Sequence, residues 1–398
     1  MKKADFLLVT LSLAFSIYVA ESILYITKIQ PYTDFRLGSK GDQPFKDKRT
    51  KAKLIRDSRD QGIHMAPDIP PHTFIKSNGL SYNLDRVFPL AGIANRPTAY
   101  CNVYGERLVY QSDQYGFRNP NSIYLEEKID VLIVGDSFSA GHCENNDIGT
   151  LLRKKRLNTL NIAYGGNGPL IELAALREYG VGTKADVLLW IYFEGNDLKN
   201  LRQESDSSLL MNYLDPNFSQ SLRSKQAAID QILNQHADKQ LNIQLKKESS
   251  KFDIKNLIQL KGLRFNIRRL KRRATRTFYP LEGFDAYLPL MSRVLDRAKK
   301  DVNAWGGEIV FVYLPQRERY GGPVNELRLY TYKSQILDIV GKLDIAVINF
   351  GDILDTSADP RSYFPYGIKG HYNQKGYDRL AEQIDARLKQ MNAFGHTK

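Results

Sequence analysis

The most regular feature of the chain is a set of short, unbroken apolar runs, separated by stretches with apolar residues three and four apart. Val131-Leu132-Ile133-Val134 ends at Gly135, Leu160-Asn161-Ile162-Ala163 opens a second run, and Val187 to Phe193 forms a third. Short continuous apolar runs closed by turn residues are the pattern of strands buried on both faces of a parallel sheet. Helical spacing begins near Ile148 and recurs over Leu170 to Tyr179. Further on, Ile309 to Leu314 predicts a strand closed by Pro315, Leu327 to Val340 a helix, Ala346 to Phe350 a strand, and Tyr377 to Met391 a terminal helix. Buried strands alternating with amphipathic helices predict an α/β fold with a mainly parallel sheet covered on both faces.

Three regions depart from this rhythm. From Thr27 to about Ile69 the chain is polar and without periodicity, which predicts a linker over residues 27–73. Between Phe74 and Ile129, short Tyr- and Val-containing stretches are broken by Gly, Asn and Pro, and end in Ser112-Asp113-Gln114-Tyr115-Gly116-Phe117-Arg118-Asn119-Pro120; these predict small strands and turns. A helical insertion is expected over about 198–283. There Leu260, Leu263, Ile267 and Leu270 recur at helical spacing beside Arg264, Arg268, Arg269, Lys271, Arg272 and Arg273. Such a basic amphipathic helix is either a plain solvated face or a surface for an anionic polymer or lipid head groups.

The N-terminus reads Met1-Lys2-Lys3, then an apolar run from Phe6 to Ala20, then Glu21 and a second apolar patch, Ile23 to Ile26. The first run alone is the length of a signal-peptide core, and the two together approach the ~20 residues of a membrane span. Tyr18 spoils the small-x-small cleavage pattern before Glu21, which favours an uncleaved anchor over residues 1–26, with Lys2 and Lys3 on the cytoplasmic side. The expected organisation is therefore an anchor at 1–26, a linker at 27–73 and one domain at 74–398, exposed on the outer, periplasmic side of a bacterial inner membrane.

Composition adds two points. A formal net charge of +13 suits nucleic acid, acidic head groups or anionic polymers, and export removes nucleic acid from these. The two cysteines, Cys101 and Cys143, either pair as a disulfide in an oxidising compartment or remain free thiols.

Candidate chemistry gathers at the ends of the predicted strands. Gly135-Asp136-Ser137-Phe138-Ser139 follows the first run directly, which sets the Ser137 hydroxyl at the carboxyl edge of the sheet, where open α/β folds bind ligands. By itself the triplet also fits an ordinary Asp/Ser turn. Asn161-Ile162-Ala163-Tyr164-Gly165-Gly166-Asn167-Gly168-Pro169 follows the second strand, and Gly195-Asn196-Asp197 the third. With these strands adjacent, the N–H groups of Ser137 and Gly166 and the Asn196 amide converge on one developing oxyanion. A serine nucleophile also needs a base. Of the six histidines, His64 and His72 fall in the lead-in, His142 in the loop after Ser137, His236 in the insertion and His396 at the terminus; His371, between the last strand and the last helix, is placed to reach the crevice.

The serine, glycine, asparagine and C-terminal histidine blocks, in this order over roughly Val131 to Met391, resemble the SGNH (GDSL-like) hydrolase superfamily. The resemblance implies a three-layer α/β/α sandwich of flavodoxin-like kind, with Ser137 as nucleophile, His371 as general base, and Gly166 and Asn196 as oxyanion donors. The lead-in and Leu189-Trp190-Ile191-Tyr192-Phe193-Glu194-Gly195-Asn196-Asp197 look like a membrane-anchored bacterial branch often linked with surface polysaccharides. One departure stands out: the superfamily usually places Asp three residues before the histidine, and here that position is Ile368. Either a carboxylate from Asp352, Asp355 or Asp359 substitutes, or a backbone carbonyl orients the imidazole of a Ser-His dyad. The expected activity is that of a cofactor-free, metal-free esterase or O-acyltransferase acting on ester groups, acetyl above all, of a cell-envelope carbohydrate. A lipid-directed esterase or thioesterase and a non-catalytic glycan-binding protein are the alternatives.

Overall fold

The computed structural model describes residues 3–26, 47, 49–83, 85–102, 107–249, 258–268, 283–321, 332–367, 370–391 and 393. Its strands are β1 (Ala66–Pro67), β2 (Leu80–Tyr82), β3 (Asp85–Val87), β4 (Pro97–Asn102), β5 (Arg107–Gln111), β6 (Val131–Gly135), β7 (Thr159–Asn161), β8 (Val187–Phe193), β9 (Glu308–Leu314) and β10 (Ala346–Asn349). Its helices are α1 (Lys3–Ile26), α2 (Lys51–Asp60), α3 (Ile148–Lys154), α4 (Pro169–Ala175), α5 (Asp197–Glu204), α6 (Ser208–Met211), α7 (Gln226–Ser249), α8 (261–268), α9 (Leu288–Ala304), α10 (Lys333–Lys342), α11 (Gly351–Asp355) and α12 (Gln374–Gln390).

The five apolar strands form one all-parallel sheet in the order β10-β9-β8-β6-β7. Alternation along β6 explains the layers. Val131 and Ile133 face one side, packed with Ile148 and Leu152 of α3 and Tyr377, Leu380, Ile384 and Leu388 of α12. Leu132 and Val134 face the other, packed with Leu170 and Leu173 of α4 and Met291, Leu295 and Ala298 of α9. The result is the three-layer α/β/α sandwich expected. In β8 every residue is buried, as a central strand covered on both faces must be.

Several boundaries differ from expectation. Within the expected linker, residues 51–60 form a helix: Thr50 caps α2 by accepting the Lys53 N–H, and Ala52, Leu54 and Ile55 pack with Met65, Ala99 and Leu241 of α7. Lys, Arg and Asp so dominate α2 that its narrow apolar face barely registers as a period. The terminal helix starts at Gln374, three residues early, because the Asn373 side chain accepts the Gly376 N–H at 3.0 Å and caps it. The helix expected over 327–340 is described from Lys333, and Arg269, Arg272 and Arg273 lie outside the described residues. At the N-terminus α1 runs unbroken, and Asp5–Leu24 is long and apolar enough to cross a membrane. Its Phe6, Leu7, Leu8, Leu11 and Phe15 side chains are exposed.

Candidate active site

Parallel register sets the site. Ile133 pairs with Asn161 of β7, and Gly135 with Ile191 of β8, so the loops leaving β6, β7 and β8 open on one edge of the sheet. Ser137, Gly165, Gly166 and Asn196 are all half-buried there, amid buried neighbours. The Ser137 hydroxyl lies 2.8 Å from His371 Nε2, across 234 residues of sequence. Gly135, at φ +154°, leaves no room for a side chain, because a Cβ there would lie 2.1 Å from Ser139 Oγ.

His371 is held by its neighbours on both sides. Its ring stacks on His142 with centroids 3.9 Å apart and on Phe138 at 4.7 Å. The next residue, Tyr372, donates its hydroxyl to the Pro315 carbonyl at the end of β9, and Asn146 N–H donates to Gln374 at the start of α12. The third member of a triad is a different matter. Asp352, Asp355 and Asp359 are exposed; Asp352 accepts from Asn349, Asp355 accepts from the Tyr320 hydroxyl, and no hydrogen bond described for the three reaches His371. Ile368 lies outside the described residues.

The glycine loop is pinned from below. Asn200 donates to the carbonyls of Gly166 and Asn167, and one turn later Glu204 accepts the N–H groups of Gly168 and Leu170 at 2.6 and 2.9 Å. Both side chains come from α5, at the i,i+4 spacing that puts them on one face. Gly166 has φ +79°, a left-handed conformation that glycine adopts freely.

The lead-in motif has a structural purpose. Arg118 spreads its guanidinium over the carbonyls of Ala140, Gly141, Glu144 and Asn145, holding the loop after Ser137. Asn119 accepts the Asn161 N–H and donates to the Asn161 carbonyl, acting as a one-residue strand on the open edge of β7. Cys101 and Cys143 are joined in a disulfide with Cα atoms 5.4 Å apart, tying β4 to the same loop. His72, which the sequence places only in a polar lead-in, sits against Gly166 and hydrogen-bonds the Gly165 backbone.

Beneath the loops lies a group of buried acids. Asp136, Glu172, Asp197 and Glu204 are fully buried, and burial raises the pKa of each, Asp136 to about 6 and Glu204 to about 8, with Glu172 pushed well up by burial and then by the Asp197 charge, and Asp197 by burial and then by the Asp136 charge. Asp136 accepts the Phe138 N–H, and the Asn196 amide donates to it, which fixes Asn196 beside Ser137. A raised pKa in the folded state means that the unfolded chain ionises first. Stability should therefore fall as pH climbs from the ordinary carboxylate range through about 6 and towards 8. Among the described residues neither oxygen of Glu172 has a hydrogen-bond partner. In Glu172→Gln the fall in melting temperature between pH 5 and pH 8.5 should be smaller than in the wild type; parallel curves would show that Glu172 is not held neutral.

No family model and no curated protein matches the sequence. Among solved structures the chain is similar to TesA, with 14% identity, a TM-score of 0.34, and cover of 65% of this chain and 98% of that one. It is similar to a lipase/acylhydrolase from Enterococcus faecalis at 10% identity and TM-score 0.34, covering 66% and 96%. It is also similar to a catalytic mutant of the acetylxylan esterase Axe2 from Geobacillus stearothermophilus, at 11% identity and TM-score 0.31, covering 64% and 91%.

A serine hydroxyl hydrogen-bonded to an imidazole at the carboxyl edge of a parallel sheet, with a glycine turn and an asparagine amide beside it, is the arrangement of serine-dependent acyl transfer.

Proposed function

We propose that the chain is an SGNH-type serine esterase or O-acyltransferase that removes or moves small acyl groups, acetyl first, on a carbohydrate of the bacterial cell envelope. The observation that carries the chemistry is the 2.8 Å contact between Ser137 Oγ and His371 Nε2, beside Gly166 and Asn196. In this reading His371 takes the Ser137 proton as the oxygen attacks the ester carbonyl. The oxyanion is held by the Ser137 and Gly166 N–H groups and the Asn196 amide. The imidazolium then gives its proton to the departing alcohol, which leaves an acyl-enzyme. Water completes hydrolysis by the same steps in reverse, and a sugar hydroxyl in its place completes a transfer. The imidazole is oriented either by a backbone carbonyl or by a nearby carboxylate, of which Asp352 and Asp355 accept hydrogen bonds from Asn349 and Tyr320. Ser137, His371, Gly166 and Asn196 need neither metal nor organic cofactor for these steps.

The acyl preference rests on space. Behind Gly165 is a recess lined by Ala140, Ala163, Tyr100, Tyr110, Tyr164, Asp68 and Arg118, with an internal volume of about 10 Å³. That is room for roughly one water-sized group, the scale of a methyl. A Cβ on Gly165 would lie 3.9 Å from Ser137 Cβ and 3.7 Å from the Tyr100 hydroxyl, so Gly165 stands between the recess and the nucleophile. Across p-nitrophenyl esters, kcat/KM should fall at least about tenfold from acetyl to butyryl, the cost of seating added methylenes beside so small a recess. A rising series towards long chains would overturn this and favour the lipid-directed alternative. The carbohydrate substrate is supported by the anchor-like α1, which sets the domain at a membrane surface, and by the strongly basic composition. Acetate release from O-acetylated envelope polysaccharide, compared with release from Ser137→Ala, tests it directly.

A further inference from the structure

Glu21 interrupts the apolar stretch Asp5–Leu24, where an ionisable side chain is costly and calls for a partner. It has one. Although α1 is mostly exposed, Glu21 is fully buried, and its carboxylate accepts the backbone N–H groups of Gly262 and Leu263, each at 2.7 Å. These are among the unpaired donors of the first turn of α8, so the carboxylate caps that helix across 241 residues of sequence. Gly262 permits the approach, because a Cβ there would sit 3.0 Å from a Glu21 oxygen. A second tie lies one turn deeper: the Tyr18 hydroxyl donates to the Ile258 carbonyl at 3.4 Å.

These ties fix depth. Glu21 stands three residues before the end of the apolar stretch at Leu24, and Tyr18 stands six before it, about 9 Å at a rise of ~1.5 Å per residue. Interfacial segments sit ~5–10 Å into the boundary between head groups and acyl chains. The exposed side chains of the segment suit such a gradient. Ile258, at the deepest level, is 60% exposed. Arg264 and Arg268, one turn apart and beyond the Glu21 contact along the chain, are exposed.

We propose that residues 258–268 dip into the outer leaflet, with Ile258 among the acyl chains and Arg264 and Arg268 at the lipid phosphates, and that Glu21 is the latch that holds this segment to α1. The insertion then fixes the domain against the membrane surface instead of leaving it on a free tether. The inference rests on α1 spanning the membrane and is independent of the ester chemistry.

Spin labels at Ile258→Cys and, separately, Arg268→Cys in the full chain test it, with the protein in nanodiscs of phosphatidylethanolamine and phosphatidylglycerol. The label at 258 should collide with oxygen and be shielded from a water-soluble nickel chelate, and the label at 268 should be less shielded. Adding Glu21→Ala should return nickel access to the label at 258, while α1 keeps the chain in the nanodisc. Full nickel access at 258 in the parent chain would overturn the proposal. Unchanged shielding in the Glu21→Ala background would overturn the latch. Hydrolysis does not enter the readout, so a failure here and a failure of the esterase reading are told apart.

Discussion

Ser137→Ala should lower kcat for p-nitrophenyl acetate by about 10⁴–10⁶, and His371→Ala by a similar factor, with the double variant scarcely worse than either single one. The reason is geometric: proton transfer between the two side chains runs through one hydrogen bond of 2.8 Å, so removing either end removes the same step. Asp136 lies 3.4 Å from Ser137 Oγ, but its carboxylate is committed to the Phe138 N–H and the Asn196 amide. Residual activity would come from the oxyanion donors and binding alone. A fluorophosphonate should label the wild-type chain once, at Ser137, and leave Ser137→Ala unmarked; labelling that survives the substitution places the nucleophile elsewhere. Intact-mass detection of an acetyl adduct on Ser137 would separate catalysis from mere binding, which is the non-catalytic alternative.

The parts of this site that can be read from sequence are those whose geometry is local. A strand buried on both faces has an unbroken apolar run, and the residue after it must lie at the sheet edge, so β6 announces Ser137 and β8 announces Asn196. Gly166 is legible because a left-handed turn after a strand calls for glycine. The remaining supports depend on contacts between distant segments, and their own neighbourhoods give no sign of them. His142 reads as a loop residue until its ring is found stacked on His371, 229 positions later in the chain by their numbering. His72 sits in a polar stretch with no period, and only the fold brings it to Gly166. Glu21 looks like a break in an apolar run, because its partners, Gly262 and Leu263, are backbone groups that no side-chain pattern reveals. Asn200 and Glu204 likewise stand at helical spacing, and what they grip is again backbone. Ile368 shows the opposite case: there the sequence states an absence, and of the three nearby aspartates Asp352 and Asp355 accept hydrogen bonds from Asn349 and Tyr320.

Gly166→Ala should cost about 10²–10³ in kcat with little change in KM, as loss of an oxyanion donor does. Two separate strains act on the new methyl. The first is conformational: φ is +79°, and a left-handed residue with a Cβ costs roughly 1–2 kcal/mol. The second is collision, since the Cβ would lie 2.2 Å from His72 Nδ1 and 2.6 Å from His72 Cε1. Something has to move. The loop is gripped from α5 by Asn200 and Glu204, whereas the His72 side chain is itself exposed, between the buried Pro71 and Phe74. The ring is therefore expected to yield part of the strain and the loop the rest, and a shift of the Gly166 N–H of a few tenths of an ångström is enough to spoil an oxyanion contact. His72→Ala in the same chain removes the collision and leaves only the conformational cost, so it should restore at least about tenfold of the lost rate. His72→Ala alone should change kcat little, because the ring touches the loop and not the nucleophile. Full activity in Gly166→Ala would remove this turn from the oxyanion site, and a double variant no faster than Gly166→Ala would mean that φ, and not the histidine, sets the position of the loop.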